Sequence, residues 1–209
     1  NEFSHYYYAA VYLHNNTSGT MNVDVIGNKF FGWLNPTNGN PWSVYGIYAD
    51  AAPANKYVMN INKNLVIDDT RYGIRIRNND NANIVGNILT YHMASNVTFN
   101  NNTQWIRGIF LSNSALNKVE MNRIQWSTYP AGFNTTYPDK LQGISMENVT
   151  NSNIICNKMD GMGAGVYIQN NNIGTSYITN ITKNCYNGYK LNNASIDPVG
   201  DPSTLTSYN

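Results

Sequence analysis

The densest run of reactive side chains is Asp68-Asp69-Thr70-Arg71, followed closely by Arg75 and Arg77. Adjacent carboxylates can divide general-acid and general-base work, and guanidinium groups beside them can hold an acidic substrate or offset developing negative charge. If the chain is an enzyme, Asp68, Asp69, Arg75 and Arg77 are its candidate catalytic groups. The same run also reads as a turn with internal ion pairing. His5, His14 and His92 have no cysteine, histidine or acidic neighbour at ligand spacing, so no metal site is expected. The sequence has no phosphate loop, nucleophile elbow or dinucleotide fingerprint, and no cofactor is expected.

These groups must be positioned by a repeat. One phrase recurs: glycine, aliphatic, any residue, aliphatic, any residue, asparagine. It reads GIRIRN from Gly73, GIFLSN from Gly108, GISMEN from Gly143, GVYIQN from Gly165 and GYKLNN from Gly188. Weaker copies start at Ala10 and Gly46, and the steps between copies are 36, 27, 35, 35, 22 and 23 residues. Ile74 and Ile76, Ile109 and Leu111, Ile144 and Met146, Val166 and Ile168 alternate with polar residues, the mark of a strand with one buried face. A second strand precedes a later asparagine, as in Asn83 to Asn87 and Asn153 to Asn157.

Two asparagine ladders keep register with the phrase. Fourteen residues after Gly46, Gly73, Gly108 and Gly143 stand Asn60, Asn87, Asn122 and Asn157. Five residues after the phrase begins stand Asn78, Asn113, Asn148 and Asn170, with Asn15 and Asn193 in the outer copies. Asparagine tolerates left-handed backbone, and its amide can bond the same amide one rung along. Strands this short stand only if stacked, each burying its face on the next at about 4.8 Å per rung. The expected fold is therefore all-β: a right-handed, single-stranded parallel β-helix of about seven rungs. It should fill residues 1–195, with 196–209 an extended tail or linker containing Pro198 and Pro202.

The pattern resembles the right-handed β-helix repeat of the pectate-lyase-like superfamily over roughly residues 8–195. That superfamily includes polysaccharide lyases and hydrolases, phage tailspikes, surface adhesins and NosD-like proteins, so the resemblance implies a fold far more sharply than an activity. Its enzymes carry catalytic groups on an outer strand face. Here the two outward stripes of the first strand run Tyr12, Tyr48, Arg75, Phe110, Ser145, Tyr167, Lys190 and His14, Asp50, Arg77, Ser112, Glu147, Gln169, Asn192. Asp50 stands one rung from Arg77, where it can pair with it. Three rungs, roughly 14 Å, separate it from Glu147, beyond the 5–10 Å span of glycosidase carboxylates. The Asp68-Asp69 pair resembles that of the family's polygalacturonases, but their Gly-His-Gly and Arg-Ile-Lys motifs are missing.

Copies of 22 and 23 residues are bare coils; longer ones carry inserts at Lys29–Tyr45, Asn62–Tyr72, Thr90–Arg107 and Gln125–Gln142, all before the next phrase. Every tryptophan falls in them: Trp33, Trp42, Trp105 and Trp126, accompanied by Tyr129, Phe133 and Tyr137. Inserts gathered on one flank of a solenoid are often its binding face. These aromatics suit subunit contact, glycan stacking or a small core of their own.

Only 12% of residues are charged and the net charge is +1, so nothing argues for nucleic acid; 38 asparagines supply polarity instead. No apolar run is long enough to span a membrane as a helix. The chain opens on Asn1 without a signal-peptide pattern, and a processed or trimmed product is expected. Sequons at Asn96, Asn101 and Asn134 lie in inserts, where glycans would fit. Cys156 is expected to be a buried thiol in line with Met59, Gly86 and Met121, unbridged to Cys185. Together these features favour an extracellular or cell-surface structural or adhesive module, such as a filament, stalk or tailspike-type subunit. Its expected partners are further copies (filament or trimer) or a glycan. The competing reading is a polysaccharide lyase or glycoside hydrolase of the same superfamily.

Overall fold

The computed structural model describes residues 1–15, 19–32, 43–51, 55–67, 70–92, 105–128 and 139–196. Asp68, Asp69, Trp33, Trp42, Tyr129, Phe133, Tyr137, Asn96, Asn101, Asn134 and the segment 197–209 lie outside the described residues.

Within them the chain is a parallel β-helix. Strands are numbered in chain order and fall into three parallel sheets. The first sheet holds the glycine phrases: β2 (Ala9–Asn15), β5 (Ser43–Ala51), β8 (Thr70–Arg77), β11 (Ile106–Ala115), β14 (Leu141–Thr150), β17 (Ala164–Asn172) and β20 (Asn187–Ile196). The second holds β3 (Gly19–Ile26), β6 (Asn55–Asn62), β9 (Ala82–Val85), β12 (Lys118–Glu120), β15 (Asn153–Ile155) and β18 (Ser176–Ile178). The third holds β1 (Glu2–Ser4), β4 (Lys29–Phe31), β7 (Leu65–Ile67), β10 (Ile88–His92), β13 (Arg123–Thr128), β16 (Lys158–Asp160) and β19 (Ile181–Lys183).

Register places like on like. Ile47, Ile74, Ile109, Ile144 and Val166 stack in the first sheet, Ile61, Ile84, Val119 and Ile154 in the second, and Phe30, Val66, Leu89, Ile124 and Met159 in the third. All are buried and form one continuous core. The recurrent glycine is a matter of space: a Cβ on Gly108 would lie 2.6 Å from the Gly143 carbonyl oxygen and 2.6 Å from Ile124 Cγ2.

The corners are made by left-handed residues. Asn78, Asn113, Asn148, Asn170 and Asn193 have φ between 48° and 62° at the positions their spacing marks. Asn113 Nδ2 donates to Asn78 Oδ1 at 3.3 Å, and Asn148 Nδ2 to Asn113 Oδ1 at 3.1 Å. At the corner between the second and third sheets, a left-handed residue precedes each asparagine of a ladder: Gly27, Lys63, Gly86, Met121, Cys156 and Thr179.

That ladder, buried from Asn28 to Asn157, is Asn28, Asn64, Asn87, Asn122, Asn157 and Asn180. Each of the first five donates from backbone N–H and from Nδ2 to the next residue's Oδ1, at 2.9–3.2 Å. Asn64 holds the place that spacing from the glycine assigned to Asn60. The copy from Gly46 is longer before its second strand, so fixed counting slips. Asn60 stands on β6, donating to Asp24 Oδ1 at 2.7 Å and accepting from Asn83 Nδ2 at 3.2 Å.

The same slip misplaced Cys156. Met59 is buried, but Gly86, Met121 and Cys156 are the left-handed corner residues, and both Met121 and Cys156 are exposed. Cys156 Sγ sits 2.9 Å from Thr179 Oγ1, and neither cysteine is bridged.

The inserts also change character. Each takes in part or all of a strand of the third sheet, so Phe30, Tyr91 and Trp126 are buried parts of the coil, with Trp126 stacked on Tyr91 at 5.5 Å. Its shorter strands, such as β16, turn a single residue inward and show no alternation, which is why much of this sheet reads as loop in the sequence.

Candidate functional site

The outer face of the first sheet collects the functional candidates. Three outward rows run along it, one residue before each glycine and two and four after. The first row pairs Tyr45, Tyr72, Arg107 and Gln142 in register; the second pairs Tyr48, Arg75, Phe110, Ser145 and Tyr167; the third pairs Asp50, Arg77, Ser112, Glu147 and Gln169. Although they face away from the core, Tyr48, Phe110, Ser145 and Tyr167 are no more than 5% exposed.

Arg75 is the centre of this face. Its guanidinium carbon lies 5.1–5.5 Å from the ring centroids of Tyr45, Tyr48, Tyr72 and Phe110, and Nη1 donates to the Tyr45 phenol oxygen at 2.6 Å. Arg107, one rung on, lies 4.2 Å from the Phe110 centroid, 5.1 Å from Trp105 and 5.8 Å from Tyr72. Such stacking is attractive through the ring quadrupole and gains when water is excluded. Lys140 Nζ lies 4.4 Å from the half-buried Trp105 ring. The tyrosines continue the frame, with Tyr45 stacked on Tyr72 at 5.2 Å and on Tyr48 at 4.5 Å.

The carboxylates of this face are engaged with other groups. Asp50 accepts from the Tyr48 phenol at 3.0 Å and from Asn78 Nδ2 at 3.1 Å, and lies 3.8 Å from Arg77, the ion pair expected from their spacing. Glu147 accepts from Asn170 Nδ2 at 3.5 Å. Asp139 pairs with Lys190. Burial, then the hydrogen bond to Asp50, pushes the Tyr48 phenol up to about 12, and burial also raises Tyr45. Burial pulls Arg107 down from its ordinary value.

Of the sequence candidates, Arg75, Arg77 and Trp105 therefore meet on one face, while Trp126 belongs to the third sheet behind it. Arg107, Tyr45 and Tyr72 were missed as site residues. The signal for them existed: they occupy the position just before the glycine in successive copies. No cluster of three or more His, Cys, Asp or Glu side chains able to hold a metal occurs among the described residues. No helix of the described residues is long and apolar enough to cross a membrane. No family model, curated protein or solved structure matches the chain.

Proposed function

We propose that the chain is a non-catalytic structural module of the pectate-lyase-like β-helix type. In this reading it is an extracellular filament, stalk or tailspike-type subunit that associates with further copies. The observation that supports this most is the state of the coil's ends. Val166 and Ile168 are buried, but their register partners on β20, Tyr189 and Leu191, are 39% and 52% exposed. At the other end, Val11 and Leu13 are only half covered where their partners Ile47 and Ala49 are buried. Among the described residues, β1, β2 and β3 and β18, β19 and β20 are edge strands. Edge strands of this kind, left without a neighbour among the described residues, present unpaired backbone and apolar core, a template for another rung.

The asparagine ladder has a matching polarity. Asn1 Nδ2 donates to Asn28 Oδ1 at 3.1 Å, and the ladder runs one way to Asn180. A second copy stacked head to tail continues every ladder in the same direction. Trp105, half-buried beside the cationic face, adds a lateral contact for a neighbouring subunit or a glycan.

Light scattering after size exclusion tests the proposal. The wild-type chain should grow with concentration, and Leu191→Lys, which puts a charge on the exposed edge strand β20, should shift it to monomer. A wild-type chain that stays monomeric from micromolar to near-millimolar concentration contradicts it. The second reading, a polysaccharide lyase or hydrolase, draws on Arg75 and Arg77 standing on the sheet face that superfamily enzymes use. It predicts product release from neutral or acidic polysaccharides that is lost in Asp68→Asn and Asp69→Asn.

A further inference from the structure

Among the described residues, Arg107 has no carboxylate within ion-pair distance. No hydrogen bond or ion pair joins its guanidinium to another group among the described residues, and its Nε is buried without an acceptor. The Nε of Arg75 is in the same position. Both guanidinium groups lie against the faces of Tyr72 and Phe110, so two like charges share one aromatic frame. Nearby carboxylates do not answer them: Asp50 is paired with Arg77, and Glu147 acts on Arg107 only through space while accepting from Asn170. Ring faces stabilise a cation but accept few of its N–H donors, and buried charges are ordinarily paired and hydrogen-bonded.

We propose that the Arg75–Arg107 pair, on the outer face of β8 and β11, is a binding site for an oxyanion: a carboxylate, sulfate or phosphate group brought by a ligand. Guanidinium forks match the planar or tetrahedral oxygens of such groups and bind them in bidentate fashion. The aromatic frame fixes the planes of both guanidinium groups in advance, so little side-chain freedom remains to be lost on binding. Trp105 and Lys140 at the edge of the frame would meet whatever carries the anion. The site is independent of the open coil ends, and it stands or falls apart from the structural reading.

Calorimetry and thermal melts with sodium sulfate, sodium phosphate and a monosaccharide sulfate test it, against sodium chloride at equal ionic strength. The wild-type chain should give saturable heat with the oxyanions. At a roughly fourfold excess over Kd, its melting point should rise by about 2–4 °C. Chloride should do neither. Arg107→Met keeps a long apolar stem in the frame and should abolish the oxyanion increment. It should melt close to wild type without oxyanion, because the lost ring contacts are offset by removing a half-buried charge that has no carboxylate partner among the described residues. Arg77→Met, which removes a guanidinium already paired, should keep the increment. Tighter binding of the saccharide sulfate than of sulfate identifies an anionic glycan as the source; equal binding identifies the free ion. Absence of saturable heat for all three oxyanions on the wild-type chain overturns the proposal, as does an undiminished increment in Arg107→Met. The calorimetry on the wild-type chain does not depend on any variant folding.

Discussion

Asn122→Leu should be among the most damaging single substitutions in the coil. Asn122 Oδ1 accepts from Asn87 N–H and Nδ2, both at 2.9 Å, while its own Nδ2 donates to Ile84 O at 2.8 Å and Asn157 Oδ1 at 3.0 Å. Leucine removes all four bonds. The Asn87 backbone N–H is then buried without an acceptor, a loss of about 2 kcal/mol, and the other three bonds add about 1 kcal/mol each. Burying the leucine side chain returns about 2 kcal/mol. The net loss of about 3 kcal/mol corresponds to a melting point lower by roughly 6–12 °C for a chain of this length. Asn60→Ala is the control, because Asn60 lies on the sheet surface and its bonds to Asp24 and Asn83 are partly solvated. It should cost under about 1 kcal/mol. Circular dichroism melts of the two variants decide the matter. Equal melting points would show that the buried ladder does not hold the corner.

Gly108→Ala should destabilise severely, because its Cβ meets the Gly143 carbonyl oxygen at 2.6 Å, while Gly27→Ala, at φ 67° in open space, should cost only about 1 kcal/mol; urea titration of both compares them. A thiol reagent should modify exposed Cys156 quickly in the folded chain and Cys185 slowly, since burial raises the Cys185 thiol; mass-mapped labelling kinetics check this. In spectrophotometric titration the Tyr48 phenol should ionise near pH 12. Its folded value lies above the ordinary 10, so its contribution to stability is complete below pH 10 and is lost as pH rises from about 10 to 12. Alkaline unfolding should therefore set in at lower pH in wild type than in Tyr48→Phe.

The fold was legible because two of its physical needs fall on single residues at fixed spacing. Where rungs approach too closely for a Cβ, glycine recurs; where the first sheet's strands turn left-handed, asparagine recurs. The third sheet was not legible, since β16, for example, contributes one inward residue, Met159, and leaves no alternation to read. Counting from the glycine failed where a copy lengthens before its second strand, and this put Asn60 in place of Asn64 and turned Cys156 inward. The cationic face was half legible. Arg75 stood out by charge, but Arg107 lay in a segment read as an insert, and its meaning depends on which rings register places beside it.

Electron cryomicroscopy of the native chain across a range of concentrations tests the structural reading most directly. Seven rungs at about 4.8 Å give about 34 Å of coil per copy. The account predicts rods that lengthen in steps of that size, with strand spacing continuous across each junction. Single particles one coil long at every concentration would contradict it.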